Sequence, residues 1–446
     1  MAAHLKNRGL PSFRHGVHPP ENKELTSGIP SRRLPFPSEV ILPLAQHLGR
    51  PAEALVKPGD RVERGDVIAK ASGFVSSRVH ATAAGTVKAI EHWPHPAGAM
   101  QPSIRIAVDP HSTQLQRPRL VPHWDEVPEE QLSEEISKAG IVGLGGAAFP
   151  THVKLRPPED QPVDVLMVNG CECEPYLTSD HRVMLEQPER VHMGIRIVLR
   201  ALGIERAVIG IESNKPDAIE IMRASAPDDL DVSVQPLQVK YPQGAEKMLI
   251  KAVTGREVPS GKLPSAVGAL VQNVATTASV ALVFETGQPL IERIMTISGR
   301  GIRRPGNWVI PFGTKLSDVI AASGGFTEDA AEIVFGGPMM GQSQASLDVP
   351  VLKATGGILV LSRDECKRQD ILPCIRCGKC IDVCPVFLNP QLMGALARVD
   401  RYEEMVENNL ADCMLCGCCS FVCPSNIPLS QLFAMSKIQL SRLQAA

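Results

Sequence analysis

Two cysteine runs constrain this chain more than anything else in it. The first reads Cys374-Ile-Arg-Cys377-Gly-Lys-Cys380-Ile-Asp-Val-Cys384-Pro385. The second reads Cys413-Met-Leu-Cys416-Gly-Cys-Cys419-Ser-Phe-Val-Cys423-Pro424. Both are C-x2-C-x2-C-x3-C-P. Three thiolates at that spacing wrap one [4Fe–4S] cubane, and the fourth, next to proline, reaches the other cluster. The expected ligands are Cys374, Cys377, Cys380 and Cys423 for one cluster, and Cys413, Cys416, Cys419 and Cys384 for the second. Zinc sites more commonly join two separated C-x2-C pairs. The three-plus-one run, present twice, does not match that arrangement.

Composition narrows the class further. A length of 446 residues predicts two to four domains. A net charge of −2 and 4% aromatic residues argue against a nucleic-acid partner, which would call for a basic face and stacking rings. Of 12 cysteines, eight lie in the two runs; the others are Cys171, Cys173, Cys366 and Cys418. Met1 to Phe13 is polar and basic, without the apolar core of a signal peptide. Reduced thiols and clusters then point to the cytoplasm. Leu263 to Phe284 carries no charge and is long enough to cross a bilayer. It contains Pro264, Gln272, Asn273, Thr276 and Thr277, so a buried core helix is expected instead. Membrane association would come through partners.

Along the chain, residues 1–35 read as an extended arm rich in Pro, Gly, Arg and His. In it, His15 and His18 are expected to be solvated or packed. Residues 36–110 hold short β runs between Pro-Gly and Gly-Asp turns, and predict a small β sandwich of the barrel-sandwich (biotinyl/lipoyl-like) type. A carrier of that fold needs a lysine at its hairpin tip. Here the tip is Ala71-Ser72-Gly73-Phe74, with Lys70 in the preceding strand, so the fold is expected and the carrier function is not. Residues 111–289 alternate strands (164–169, 207–211, 232–237) with helices (192–202, 216–224, 245–253). This predicts a Rossmann-like α/β core with a parallel sheet and ligands at the carboxyl ends of its strands. Residues 290–345 predict a second α+β unit, with a further β stretch at 348–362. The cluster domain fills 366–446, with a helical pattern over 391–408.

A second chemical site lies upstream of the cysteines. The loop Gly140-Ile-Val-Gly143-Leu-Gly145-Gly146-Ala-Ala-Phe149-Pro150-Thr151 allows close approach of backbone N–H groups to a phosphate or a flat ring. Lys154 follows and could neutralise a phosphate. It is not a G-x-G-x-x-G after a strand, so the Rossmann fingerprint does not apply. The strand 164–169 runs into Asn169-Gly-Cys171-Glu172-Cys173-Glu174-Pro175, polar groups suited to ribose hydroxyls or ring edges. Read alone, that segment is equally a polar turn capping a strand.

These segments resemble the FMN- and NADH-binding motifs of the flavin subunit of respiratory complex I, as do Gly244-Ala245-Glu246 and Gln272-Asn273-Val274-Ala275-Thr276. The whole arrangement more closely resembles the C-subunit family of Rnf/Rsx ion-translocating electron transport complexes. That resemblance covers nearly the whole chain and makes the 290–345 unit a β-grasp, soluble-ligand-binding domain. It implies that Gly143, Gly145, Gly146 and Lys154 hold FMN phosphate and ring. Asn169, Cys171 and Glu172 would line the isoalloxazine, and Asn273 and Thr276 its other edge. Phe149, Glu174 and Glu246 would meet NADH. This chain departs from the complex I pattern at Leu144 (Arg there), Cys171 (an acid) and Ala245 (an acid).

The function implied is NADH oxidation in a membrane-bound complex that exchanges electrons with ferredoxin and moves ions. Hydride passes from NADH to FMN, and single electrons pass through two [4Fe–4S] clusters to partner subunits. No catalytic acid or base is required. The implied location is peripheral, on the cytoplasmic face of a bacterial inner membrane, with ferredoxin or flavodoxin reached indirectly. Two alternatives share much of this chemistry: an electron-relay and docking subunit with a degenerate flavin site, and a reducer of a redox-sensing transcription factor.

Overall fold

A computed structural model describes residues 9–116, 122–366 and 369–445; the first eight residues of the expected arm lie outside these. The fold is multidomain α/β. The expected strands at 164–169, 207–211 and 232–237 form at Val165–Asn169, Ala207–Glu212 and Val232–Leu237. With Ala269–Asn273 they make a four-stranded sheet in the order 232–237, 207–212, 165–169, 269–273. Every pairing in it is parallel. Such a sheet is covered on both faces, and its strands are correspondingly apolar: Leu166, Val168, Ile209 and Ile211 are buried.

The uncharged stretch 263–284 is not one helix. It breaks into a 3-10 turn (Pro264–Val267), the edge strand Ala269–Asn273 and the helix Val274–Thr286. The break falls at Asn273, whose side chain accepts from the N–H groups of Ala275 and Thr276 and so starts the helix. Gly287, at φ 69°, ends it. The helix packs closely on Pro188–Leu202: a Cβ at Gly194 would lie 2.0 Å from the Thr277 carbonyl oxygen. Among the described residues no helix is long and apolar enough to cross a membrane.

The barrel-sandwich region pairs two antiparallel sheets. One runs 39–43, 100–108, 85–94, 61–62; the other runs 53–54, 67–70, 79–80. A six-stranded mixed sheet follows, in the order 32–33, 306–311, 292–298, 357–362, 330–335, 342–343. It takes in more than the 290–345 stretch. The strand Gly357–Ser362, fully buried, lies centrally between 292–298 and 330–335. Arg32–Arg33 of the arm adds the edge.

The arm is not a free tail. Lys23 is buried and its ammonium donates to the carbonyls of Glu172, Glu174 and Leu177. His15 packs edge-on against Phe387, and a ring nitrogen of His18 lies 3.1 Å from the Val239 carbonyl oxygen. The expected helical pattern at 391–408 forms two helices, Pro390–Ala397 and Tyr402–Glu407, with Asp400 at φ 56° in the break between them. A separate small core, including Met393, Met405 and Phe433, supports the cysteine runs.

Candidate functional site

The flavin-site candidates converge at the carboxyl ends of the parallel strands. Asn169 and Asn273 are register partners on adjacent strands. The glycine loop closes on itself at its base, where Gly143 N donates to Phe149 O at 2.8 Å. Its tip, Gly145–Ala147, is exposed, and Phe149 is half-buried. Gly146, at φ 113°, has open space where a side chain would be. A Cβ at Gly145 would touch Asn273, 3.4 Å away. The loop is pinned from below by the Thr276 hydroxyl, which accepts from Leu144 N at 2.8 Å. It is pinned from behind by Arg293, whose guanidinium donates to the Leu144 carbonyl at 2.8 Å. Leu144 itself is buried. The positive charge behind the loop therefore comes from Arg293, a residue of the six-stranded sheet that sequence reading did not single out.

Lys154 lies at the rim. Its ammonium donates to Glu246 Oε2 (2.9 Å) and to the Val271 carbonyl (3.0 Å). Asn169 donates to the Gly244 carbonyl at 2.7 Å and accepts from Cys171 N at 3.1 Å. Glu172, in a left-handed conformation at φ 49°, accepts from the N–H groups of Asp180 and His181 at the start of helix Ser179–Glu186. The structure thus brings together Gly143, Gly145, Gly146, Phe149, Lys154, Asn169, Glu246, Asn273 and Thr276 around one strand-end cradle.

Two of the expected residues face elsewhere. The thiol of Cys171 is fully buried beneath the sheet with Val165 and Leu249, so only its backbone borders the cradle. Burial raises that thiol's pKa well above the usual value. Glu174 is turned toward the six-stranded sheet, where its oxygens accept from the N–H groups of Met339 (3.1 Å) and Met340 (3.0 Å). Burial lifts its pKa to about 7, against the pull of those two donors.

Three residues missed in the sequence hold the cradle. Asp180 is buried; its Oδ2 accepts from Asn273 Nδ2 at 2.6 Å, while its Oδ1 has no hydrogen-bond partner. Burial, and then the neighbouring Glu172 charge, push its pKa up to about 7. Lys215, also buried, donates to the Cys171 carbonyl (2.6 Å) and to Glu212 (3.2 Å). Arg293 is the third. None sits in a recognisable motif; for Lys215 the only signal was its place just after a strand's carboxyl end.

The cysteine runs line two separate pockets, each drawing thiols from both runs. Cys374, Cys377, Cys380 and Cys423 line a cavity of about 290 Å³. Cys384, Cys413, Cys416 and Cys419, joined by the spare Cys418, line one of about 20 Å³. The fourth thiol of each set comes from the other run, as the spacing predicts. Among the described residues, no three acidic, His or Cys side chains converge on a point fit for a single metal ion. Two thiol-lined pockets, each holding a three-plus-one set, suit two [4Fe–4S] clusters, and the glycine loop over two strand-end amides suits a flavin.

Comparison with known proteins agrees region by region. The family model for the RnfC barrel sandwich hybrid domain matches residues 11–111, and that for the Nuo51 FMN-binding domain matches 136–282. An SLBB domain matches 294–343 and a 4Fe-4S dicluster domain 370–427. Among curated proteins, the chain is 45% identical to the C subunit of the proton-translocating ferredoxin:NAD(+) oxidoreductase complex of Clostridium ljungdahlii, over 89% of this chain and 87% of that one. It is 42% identical to the Na(+)-translocating counterpart of Acetobacterium woodii, over 89% and 90%. It is 43% identical to the C subunit of the ion-translocating oxidoreductase complex of Rhodobacter capsulatus, over 97% and 84%. On the strength of these matches, the chain belongs to the family of C subunits of ion-translocating oxidoreductase complexes.

Proposed function

We propose that this chain is the NADH-side subunit of a membrane-bound, ion-translocating complex that exchanges electrons between NADH and ferredoxin. The observation that carries the reading is the exposed glycine-loop tip set against the Asn169–Asn273 pair, in the same chain as two cysteine-lined pockets. Bound FMN would supply the conversion between a two-electron hydride donor and one-electron carriers. NADH would give up two electrons and leave as NAD+, releasing one proton; the clusters would take the electrons singly.

The residues divide the work by position. The loop N–H groups of Gly145 and Gly146, with Lys154, bind the flavin phosphate and border the ring, while Gly143, whose N–H closes the base of the loop on Phe149, lets the backbone approach it. Asn169 and Asn273 present amides to the ring edges, held in place by the Gly244 carbonyl and by Asp180. Thr276 fixes the loop at Leu144. Phe149 and Glu246, at the rim, meet NADH. Glu172 orients the strand-end turn by capping the next helix. Cys374, Cys377, Cys380 and Cys423 hold one cluster, and Cys413, Cys416, Cys419 and Cys384 the other. The chain docks on partner subunits at the cytoplasmic face of the membrane; ferredoxin or flavodoxin is reached through them.

The test is an anaerobic NADH titration of the purified protein, with flavin and iron quantified. NADH should bleach the flavin band and then bring up the EPR signals of reduced clusters. Flavin-free protein, or flavin that NADH does not bleach, would leave the relay reading in its place.

A further inference from the structure

The two cysteine pockets share a motif but not an environment. Tyr241 makes the difference. Its side chain is 1% exposed, and its hydroxyl donates to the carbonyl of Cys416 at 2.8 Å. The same hydroxyl lies 3.5 Å from Glu174 Oε1. The carboxylate of Glu174 in turn holds the 339–340 turn, whose Met339 carbonyl lies against Gly417. Tyr241 is itself held on both backbone groups by the arm: Val17 N donates to its carbonyl (2.8 Å), and its N–H donates to Val17 O (2.9 Å).

A continuous line of contacts joins this seam to the cradle. Asn169 Nδ2 donates to the Gly244 carbonyl at 2.7 Å, and Gly244 N lies 3.4 Å from Cys173 Sγ. Cys173 packs against the buried patch formed by Val17, Tyr241, Cys416 and Cys418. The spare thiol Cys418 is part of this seam, with its sulfur 4.0 Å from the Tyr241 carbonyl oxygen. Around the other pocket there is no such seam among the described residues. Cys374 and Cys377 are exposed, as are Ile371 and Ile375, and a Cβ at Gly378 would have nothing within 4 Å.

We propose that the cluster held by Cys384, Cys413, Cys416 and Cys419 is the one that exchanges electrons with the flavin site, and that Tyr241 is the positioning residue that seats and tunes it. The inference rests on the functional reading above. Electrons from one NADH leave the flavin site singly, pass to this inner cluster, then to the outer one, and then to a one-electron acceptor protein. Two such passages complete each NADH oxidation, and the proton goes to solvent. Hydrogen bonding and nearby charge are the protein's levers on cluster potential. The Tyr241 hydroxyl points the positive end of its dipole at a ligand's carbonyl, which favours the reduced, more negative cluster. The Glu174 carboxylate acts in the opposite sense.

The experiment is EPR redox titration of the holoprotein at pH 8.5, with Cys419→Ser and Cys380→Ser assigning the two signals. Tyr241→Phe should lower the midpoint potential of the Cys419-dependent signal and leave the Cys380-dependent one in place. Glu174→Gln should raise the same signal. It serves alone if Tyr241→Phe fails to assemble its inner cluster. Flavin bleaching by NADH should persist in both variants. Intact bleaching with neither potential moved, or with both moved equally, overturns this inference alone. Loss of bleaching in the wild-type protein overturns the functional reading instead.

Discussion

The two cysteine runs fold into almost the same backbone and end in opposite surroundings. In each, the residue before the second cysteine adopts a left-handed conformation: Arg376 at φ 54° and Leu415 at φ 57°. The glycine after it sits at φ 79° in both, Gly378 and Gly417. Each then starts a four-residue helix, Lys379–Asp382 and Cys418–Phe421. Ligand spacing dictates this local geometry. It does not dictate what lies outside. One pocket opens to solvent with two exposed cysteines; the other is walled in by Tyr241, Met339 and the arm. The motif sets the thiol geometry, and tertiary packing sets how far each pocket lies open to solvent.

The sharpest way to break that comparison is to remove one ligand from each pocket. Cys380→Ser and Cys419→Ser should each abolish one EPR signal and about half of the bound iron if, as proposed, each run contributes three ligands to its own cluster and one to the other. Cys419→Ser should also expose the seam to protease, because Cys419 is buried in the inner pocket. Cys380→Ser should not. Two surviving signals in either variant would contradict the ligand sets, and equal protease sensitivity would contradict the inner and outer distinction.

A finer probe uses the matched glycines. Both carry a positive φ, so alanine at either should cost about 1 kcal/mol in backbone strain. At Gly378 the cost stops there, because the space is open. At Gly417 the new Cβ would lie 2.7 Å from the Met339 carbonyl oxygen, a backbone atom. The loss should then reach about 3 kcal/mol, from strain plus overpacking. Denaturant unfolding of the two variants side by side reads the difference; equal losses would mean that the seam does not close on Gly417.

How much of this was legible in the sequence depended on whether a feature was local. The cysteine runs and the strands at Val165–Asn169, Ala207–Glu212 and Val232–Leu237 carry their own signal in spacing and apolar pattern. The break in the uncharged stretch at Asn273 was hidden, because a helix cap and a buried edge strand look like one apolar helix when hydropathy alone is read. The central strand Gly357–Ser362 is legible as β, but not as part of the sheet that begins at 292, since pairing across sixty residues leaves no mark in either segment. In the candidate site, the glycine loop and the Asn169 segment were visible. Asp180, Lys215 and Arg293 were not, because each acts from a different element. The turn of Glu174 toward Met339 depends on a loop 165 residues away.

Asp180 supplies the smallest effect, on the flavin side of the same seam. Its carboxyl faces the Asn273 amide and the charges of Glu172, Arg293 and Lys215. Burial and Glu172 raise its pKa from the ordinary value of 3.8 to about 7. The folded protein therefore holds a proton that the unfolded chain releases at any pH above 3.8. Stability from this group is complete below that pH, falls as pH rises toward about 7, and is level beyond. Asp180→Asn cannot titrate, yet its amide oxygen can still accept from Asn273. Thermal midpoints measured from about pH 4 to about pH 8 should show the variant gaining on the wild-type protein as pH rises to about 7. Glu174, with its pKa also about 7, keeps part of the slope in both proteins, so the variant's curve should be shallower than the wild type's, not flat. Parallel curves across that window would mean that Asp180 is ionised in the folded protein, and that the cradle holds its amides against a full negative charge.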